Sequence, residues 1–272
     1  MLVCTLGDLL LDVIVRLDDP IAPDTDAYGR THVGAGGQAA NVAAWVAALG
    51  GRARLVGKRA HDGAGRLVAE ELELRGVELA GPEVDAGTGT VVSVATPDGG
   101  RTMLSDRGVA PLLRPEELEM AWFRGVDWLH LPGYSLVRAP VDEAAAKAAG
   151  AVRAQGGRIS VDLSSAAAIR EFGPRQLRRR LEVLEPDLLF ANEDERALLP
   201  GELPAPAWVL KRGPRGIAVG RDGSVEEHAA PPAEVVDTTG AGDALAAGFL
   251  VGGAQLGLEA AARCVATMGA MP

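Results

Sequence analysis

Aromatic residues, cysteines and long apolar runs are all scarce in this sequence. Phe, Trp and Tyr together make up 4% of the 272 residues. The two cysteines, Cys4 and Cys264, lie in apolar runs far apart and lack the spacing of metal ligands, which predicts two buried thiols. No run approaches the roughly 20 apolar residues that span a bilayer, and the first residues lack the basic stretch of a signal peptide. We therefore expect a cytoplasmic protein without a membrane partner.

Positive charge is also in short supply. The sequence has 27 Lys and Arg against 37 Asp and Glu, a net charge of −10. An acidic surface repels polyanions, so nucleic acid is not an expected partner. The longest basic cluster, Arg178-Arg179-Arg180, has helical spacing and is typical of a solvated helix face.

Glycine, in contrast, is abundant, with 35 residues. Many of these glycines stand where an apolar strand pattern changes into a helical one, as expected where the backbone approaches a ligand such as phosphate. Short apolar runs alternate with Ala- and Leu-rich helical patterns, which predicts an α/β fold with a parallel sheet covered by helices. The predicted strands are 2–6, 53–56, 128–131, 158–162, 188–191, 208–211 and 217–221, and the predicted helices are 38–49, 64–75, 141–155, 174–184 and 242–251.

One region departs from this alternation. Residues 88–96 and 101–105 are extended runs on either side of Pro97-Asp98-Gly99-Gly100, which predicts a β-hairpin. With further strands at 13–17 and 31–33 it predicts a small sheet, a lid formed by about 13–35 and 88–107 within a single domain of residues 1–272. The hairpin's outer edge needs covering, so we expect a homodimer through the lid.

The strongest motif is Asp237-Thr238-Thr239-Gly240-Ala241-Gly242-Asp243, a loop of small residues that leads into an apolar helix. Free backbone N–H groups at such a helix start can bind an anion, and Asp243 in the first turn could accept the proton of a hydroxyl group. This combination indicates phosphoryl transfer to an alcohol. The alternative is that Asp243 only complements the helix dipole, which is worth about 0.3–1 kcal/mol. The dipole also predicts a low pKa for Asp243.

A second motif, Gly36-Gly37-Gln38-Ala39-Ala40-Asn41, opens an apolar helix near the start of the chain. The glycines could admit a ligand and Asn41 could form a hydrogen bond to it. Taken alone, the motif fits a helix entry with a buried, satisfied Asn equally well. It does not match the GxGxxG pattern of dinucleotide-binding proteins, which argues against a nicotinamide-dependent oxidoreductase.

Together, the two motifs resemble the hallmark motifs of the ribokinase-like (PfkB) carbohydrate and nucleoside kinases, and the resemblance extends over essentially the whole chain. It implies a Rossmann-like parallel sheet flanked by helices, with a small β-sheet lid. It also implies transfer of the ATP γ-phosphate to a hydroxyl, usually an exocyclic CH2OH, of a small carbohydrate. A nucleoside acceptor and a non-catalytic relative that only binds ligand are the alternatives.

The resemblance also implies roles for individual residues. It makes Asp243 the catalytic base and the backbone of Gly240, Ala241 and Gly242 the anion hole. The residues implied for the acceptor hydroxyls are Asp12 at the end of the first strand, Gly36, Gly37 and Asn41. Without the resemblance, Asp12 is a polar residue among apolar neighbours, where a surface-facing strand position explains it equally well.

Further roles concern the nucleotide and its cations. Asn192 and Glu195 match the family's Asn-x-x-Glu element, which is associated with Mg2+ and phosphate through water, although the same spacing is that of a capping box. The resemblance also implies a monovalent cation, K+, near Asp237 and Thr239, which members differ in requiring. The resemblance further places Lys211, Gly213 and Gly216 in the family's nucleotide-side loop. Without the resemblance, this segment is an ordinary basic turn.

Overall fold

The computed structural model describes residues 1–21, 24–98 and 100–272, so Ala22 and Pro23 of the predicted lid and Gly99 of the predicted turn lie outside the described residues. The strands of this part of the chain, in order, are β1 (Leu2–Leu6), β2 (Leu10–Leu17), β3 (Gly29–Gly36), β4 (Arg52–Val56), β5 (Arg59–Ala60), β6 (Val77–Ala80), β7 (Glu83–Val84), β8 (Thr88–Ala95), β9 (Arg101–Gly108), β10 (Trp128–Pro132), β11 (Arg158–Asp162), β12 (Leu188–Asn192), β13 (Ala207–Lys211), β14 (Ile217–Arg221) and β15 (Ser224–His228).

Nine of the described strands form a large sheet in the order β15-β14-β13-β12-β11-β10-β1-β4-β6. From β13 to β6 every neighbouring pair is parallel, and β14 and β15 continue the sheet as antiparallel strands. The predicted parallel sheet is therefore confirmed. Two of its strands were not predicted: β6 has only four residues, and β15 is an edge strand of mostly exposed polar side chains without an apolar pattern.

Helices cover both faces of this sheet. They are α1 (Gln38–Ala48), α2 (Gly63–Leu74), α3 (Val141–Arg153), α4 (Ala166–Phe172), α5 (Pro174–Leu184), α6 (Glu193–Leu198) and α7 (Ala241–Val265). Successive side chains of a strand point to opposite faces. In β1, Val3 accordingly joins the apolar cluster of α1 and α7, whereas Cys4 joins that of α3 and α5. Cys4 and Cys264 are both buried, as predicted.

The helix α7 is longer than predicted, with 25 residues. By length and composition alone it could cross a membrane, but half of its most apolar stretch is buried inside the protein. Gly252 and Gly253 have non-helical backbone angles, so two shorter helices meet there. The first packs against α1 in the core. We therefore interpret α7 as a core helix.

The four remaining long strands form a separate small sheet in the order β3-β2-β8-β9. The strands β8 and β9 pair antiparallel, as expected for the predicted hairpin. The strand β2 is longer than predicted and contains Asp12. The expectation that Asp12 ends the first strand is therefore wrong: β1 ends at Leu6, and the chain turns into the small sheet before Asp12. The division of the chain into one domain with an inserted lid stays a prediction.

Candidate active site

The site forms where the carboxyl ends of the parallel strands meet, which is the ligand-binding edge of an open α/β sheet. The residue Asp8 follows β1, whereas Asp162, Asn192 and Lys211 are the last residues of β11, β12 and β13. The first turns of α1 and α7 approach the same edge. The two glycine-containing motifs, more than half the chain apart in sequence, are therefore neighbours in the fold.

The carboxylate of Asp243 joins the two motifs directly. It accepts a hydrogen bond of 2.8 Å from the Asn41 side-chain amide. Only 9% of Asp243 is exposed, and burial raises its pKa to about 7 despite the opposing effect of the Asn41 bond. The prediction of a low pKa from the helix dipole is therefore wrong, because the loss of hydration outweighs the dipole.

The helix α7 begins at a sharp backbone turn. Gly240 is its N-cap with φ of 77°, and a Cβ there would lie 2.6 Å from the Cα of Ala270. No side chain caps this helix start, and the Ala241 N–H donates to the Thr238 carbonyl oxygen at 3.4 Å. The anion hole at Gly240, Ala241 and Gly242 stays a prediction.

The acceptor residues implied by the resemblance lie together. A Cβ on Gly36 would overlap the Asp12 carboxyl group, so only glycine leaves room for that side chain. Gly37 has φ of 94°, and a Cβ there would lie 2.7 Å from the Asp8 carbonyl oxygen. Burial and the neighbouring Asp8 charge raise the pKa of Asp12 to about 7.

One residue of this cluster, Asp8, was not predicted. It is 5% exposed, and its Oδ2 accepts a hydrogen bond from the Arg107 guanidinium, which reaches it from β9 of the small sheet. Arg107 also stacks on the Tyr134 ring, 3.6 Å from the ring centre. An acid placed directly after a buried strand was the available signal for Asp8.

A second residue that was missed is Asp162, which pairs with Lys211. The Lys211 ammonium donates to both carboxylate oxygens of Asp162, at 2.7 and 2.9 Å. Burial by itself would lower the pKa of Lys211, but Asp162 and Glu195 raise it above its ordinary value. A Cβ on Gly242 would lie 3.3 Å from the Lys211 Nζ. The ammonium therefore lies beside the start of α7.

Asn192 and Glu195 form the capping box that their spacing predicts. The Asn192 side chain accepts from the Glu195 N–H at 2.8 Å, and the Glu195 carboxylate accepts from the Asn192 N–H at 2.8 Å and from its side-chain amide at 2.9 Å. Burial raises the pKa of Glu195. Within the described part of the chain, no three His, Cys, Asp or Glu side chains are grouped to hold a metal. The association with Mg2+ stays a prediction.

The remaining predicted residues lie in two loops next to the site. Gly213 and Gly216 form the turn between β13 and β14, whereas Lys211 precedes that turn and reaches into the site. Asp237 accepts from the Thr239 N–H at 2.9 Å and hydroxyl at 2.7 Å, and from the Gly269 N–H at 3.1 Å. This carboxylate therefore joins the motif loop to the C-terminal segment.

Comparison with known proteins explains this arrangement. The family model described as "pfkB family carbohydrate kinase" matches residues 1–271. The chain belongs to the PfkB family of carbohydrate kinases. It is 32% identical to the ATP-dependent ribose-1-phosphate kinase of Halopiger xanaduensis, over 96% of this chain and 90% of that protein. It is therefore a phosphotransferase that acts on a hydroxyl group of a sugar or nucleoside.

Solved structures agree with the fold. The adenosine kinase of Sinorhizobium meliloti superposes with a TM-score of 0.87 at 26% identity, covering 99% of this chain and 95% of that one. A protein from Escherichia coli described as ribokinase II, solved with ATP and Mg2+, superposes with a TM-score of 0.83 at 24% identity, covering 99% and 94%. The ribokinase-like fold expected from the sequence is therefore confirmed.

Proposed function

We propose that this PfkB kinase transfers the γ-phosphate of ATP to a hydroxyl, an exocyclic CH2OH, of a small sugar. The observation that carries the proposal is the position of Asp243. It lies buried between Asn41 of the acceptor motif and the Gly240–Gly242 turn. A group at this junction can reach a hydroxyl on one side and a phosphate on the other.

In the proposed mechanism Asp243 orients the acceptor hydroxyl. The hydroxyl oxygen forms its bond to the γ-phosphorus while the bond from that phosphorus to the β–γ bridging oxygen breaks, and Asp243 takes the proton late. A pKa of about 7 suits a base at neutral pH. The backbone N–H groups of Gly240–Gly242 stabilise the charge on the transferring group, and the Lys211 ammonium adds a positive charge beside them.

Mg2+ would accompany ATP, and Asn192 and Glu195 are the residues we propose to hold its hydration shell. Mg2+ keeps several waters and needs few protein ligands, so an amide and one carboxylate are sufficient chemistry. Mg2+ supplies neutralisation of phosphate charge when bound. We propose Asp237 and Thr239 for a K+ ion, because their oxygens lie in the loop that precedes the anion hole.

The acceptor that we favour is a carbohydrate. The four strands of the small sheet contain no Phe, Tyr or Trp, and their one ring is the imidazole of His32, so they offer a base little surface on which to stack. The runner-up is a nucleoside, since the relative named adenosine kinase shares the fold at 26% identity. Ribose 1-phosphate and adenosine both contain ribose, so a ribose ring is a reasonable first acceptor.

We also propose a homodimer through the small sheet. Val33, Val13, Val92 and Leu104 are paired across its four strands, on the face opposite Asp12. Val33 is 50% exposed and Leu104 is 58% exposed, so an apolar row faces solvent. A second copy of the sheet could bury this row. Sedimentation at micromolar concentration should detect a dimer that the double variant Val33→Lys with Leu104→Lys abolishes, and a monomeric wild type would refute it.

ADP release measured against a panel of acceptors tests the kinase assignment and the acceptor class together. The panel comprises D-ribose, ribose 1-phosphate, D-fructose, adenosine and aminoimidazole riboside. We expect turnover with at least one sugar. Preference for adenosine by tenfold or more in kcat/KM would favour the nucleoside alternative, and no turnover with any acceptor would contradict the proposal. We also propose a cytoplasmic location, because the enzyme needs ATP.

A further inference from the structure

The acceptor side of the site contains buried oxygen atoms that the protein itself leaves without a donor. Asp8 Oδ1 and Asn41 Oδ1 are both buried and have no hydrogen-bond partner in the described part of the chain. Buried polar atoms are normally paired, and leaving one unpaired costs about 1–3 kcal/mol. Both atoms are acceptors. The site therefore has an unmet requirement for hydrogen-bond donors.

The position of Asp8 links this requirement to the acceptor. The Asp8 backbone lies against Gly37 of the acceptor motif, and the charge of Asp8 is one cause of the raised pKa of Asp12 and of Asp243. The Asp8 main-chain oxygen accepts from the Ala40 N–H at 3.3 Å. Asp8 thus lies between the small sheet and the helix α1, where the proposed acceptor would be bound.

The orientation of Asp8 is set by Arg107. The guanidinium donates to Asp8 Oδ2 and stacks on Tyr134, so Oδ2 has a donor, whereas Oδ1 has none in the described part of the chain. Arg107 is only 18% exposed as a side chain. Because it belongs to β9, this contact also joins the small sheet to the core.

We propose that Asp8 binds a hydroxyl of the acceptor through Oδ1, and that Arg107 is the positioning residue that holds the Asp8 side chain in its orientation. This inference rests on the proposed function. It also specifies the group of the acceptor that lies next to Asp8, which is a neutral hydroxyl that donates a hydrogen bond. Asp8 and Asp12 would repel a phosphate placed there, so any phosphate on an acceptor must point away from Asp8.

Deoxy analogues distinguish a binding role from a structural one. The probes are D-ribose with 2-deoxy- and 3-deoxy-D-ribose, or the monodeoxy forms of whichever panel sugar is turned over. For wild type, loss of the relevant hydroxyl should lower kcat/KM about ten- to a hundredfold, the effect of one hydrogen bond to a charged group. Asp8→Asn should cause a similar loss with the parent sugar and less than threefold loss with that one analogue.

Two further variants isolate the roles of Arg107 and of burial. Arg107→Gln should raise the acceptor KM about tenfold with the MgATP KM unchanged, and should add little to Asp8→Asn in the double variant. Asp142→Asn is the matched control, because Asp142 is also a buried aspartate paired with an arginine, Arg180, but lies between α3 and α5. Its acceptor KM should stay within twofold of wild type.

The outcomes separate this inference from the proposed function. If Asp8→Asn lowers kcat/KM equally for the parent sugar and every monodeoxy analogue, Asp8 has a structural role and the inference is wrong. Calorimetry with the same sugars provides a readout without turnover. A wild type that binds a sugar and fails to phosphorylate it contradicts the proposed function alone, and weaker binding by Asp8→Asn would still support the inference. A wild type that binds none of the sugars overturns both.

Discussion

The two halves of the site differ in how far their polar groups are satisfied. On the nucleotide side, Lys211 pairs with both oxygens of Asp162, and Asn192 and Glu195 satisfy each other in a capping box. On the acceptor side, Asp8 and Asn41 each keep an unpaired oxygen. The protein therefore stabilises the proposed nucleotide side internally, whereas the proposed acceptor side has buried oxygens that a ligand with hydrogen-bond donors would satisfy.

The same contrast holds for protonation. Burial raises the pKa of Asp12 and of Asp243 to about 7, because few positive groups offset the desolvation of these carboxylates. On the nucleotide side the Lys211 ammonium lies within the acidic cluster and keeps its own pKa high. Asp12 and Asp243, whose pKa is raised to about 7, are thus the candidates for proton transfer at neutral pH.

The largest expected effect concerns Asp243. Asp243→Asn should lower kcat at least a hundredfold, because general base catalysis contributes about 10²–10⁴-fold, and should change MgATP affinity little. Steady-state kinetics with the identified acceptor measures kcat, and calorimetry measures MgATP binding. Asp194→Asn, an acid in the first turn of α6, is the control and should keep kcat within twofold. Near-normal kcat for Asp243→Asn would refute the catalytic role.

The next largest effect concerns the stability that the pair of Lys211 and Asp162 provides on the proposed nucleotide side. Lys211→Gln leaves Asp162 as an unpaired buried charge, and we expect the free energy of unfolding to fall by about 3–5 kcal/mol. Urea denaturation measures this. The double variant Lys211→Gln with Asp162→Asn should recover much of the loss, because the buried charge of Asp162 is then removed as well. Additive losses in the double variant would show that the two side chains do not stabilise each other.

A smaller effect is expected for Asp12. Asp12→Ala removes an acceptor of hydroxyl hydrogen bonds, so the acceptor KM should rise by about ten- to a hundredfold, with the MgATP KM much less affected. The matched comparison is Asp12→Asn, which keeps an oxygen and should lose less. Equal effects on both substrates would mean that Asp12 serves the fold and not the acceptor.

The pH dependence sharpens the contrast further. Asp243 must be ionised to accept a proton, so kcat/KM for the acceptor should rise about tenfold per pH unit up to about 7 and then level off. The free energy of unfolding should change with pH in the opposite direction. The folded pKa lies above the ordinary value of 3.8, so the folded state holds the proton more tightly and stability falls as pH rises from about 4 to 7.

The variant Asp243→Asn tests whether ionisation of Asp243 lowers the stability of the folded protein. The variant should melt at a higher temperature than wild type at pH 8, with the difference vanishing at about pH 3, below the ordinary pKa, where the carboxyl is mostly protonated in both states. Thermal scans at the two pH values measure this. A wild type more stable than the variant at pH 8 would contradict the direction of the pKa shift.

The smallest effect of a substitution is expected for Glu195, the proposed Mg2+ residue. Turnover should require added Mg2+ and stop with EDTA, and Glu195→Gln should raise the Mg2+ concentration needed for half-maximal rate several-fold, because a carboxylate binds the hydrated ion better than an amide does. Titration of Mg2+ at fixed ATP measures this. The same titration on Glu193→Gln, in the same helix turn, should match wild type. Full activity in EDTA would refute the proposal.

Local sequence patterns determined most of the architecture. All seven predicted strands and the five predicted helices are present, because alternating apolar runs and helix caps depend on residues near each other in the chain. The pattern did not predict β15, whose side chains are polar and exposed. The predicted helix 242–251 ended where α7 breaks at Gly252, although a second helical segment follows. The motif at residues 237–243 located the start of the helix α7, which contains the proposed base, for the same local reason.

Only the tertiary structure decided the chemistry of the site. The pairing of Asp162 with Lys211 and of Asp8 with Arg107 joins residues 49 and 99 positions apart, which no local pattern encodes. The low pKa predicted for Asp243 from the sequence was wrong. The helix dipole is a local property, whereas the burial of Asp243 depends on how α1, α7 and the sheet pack together. Residue types at strand ends follow from sequence, but their charges and partners follow from distance and desolvation in three dimensions.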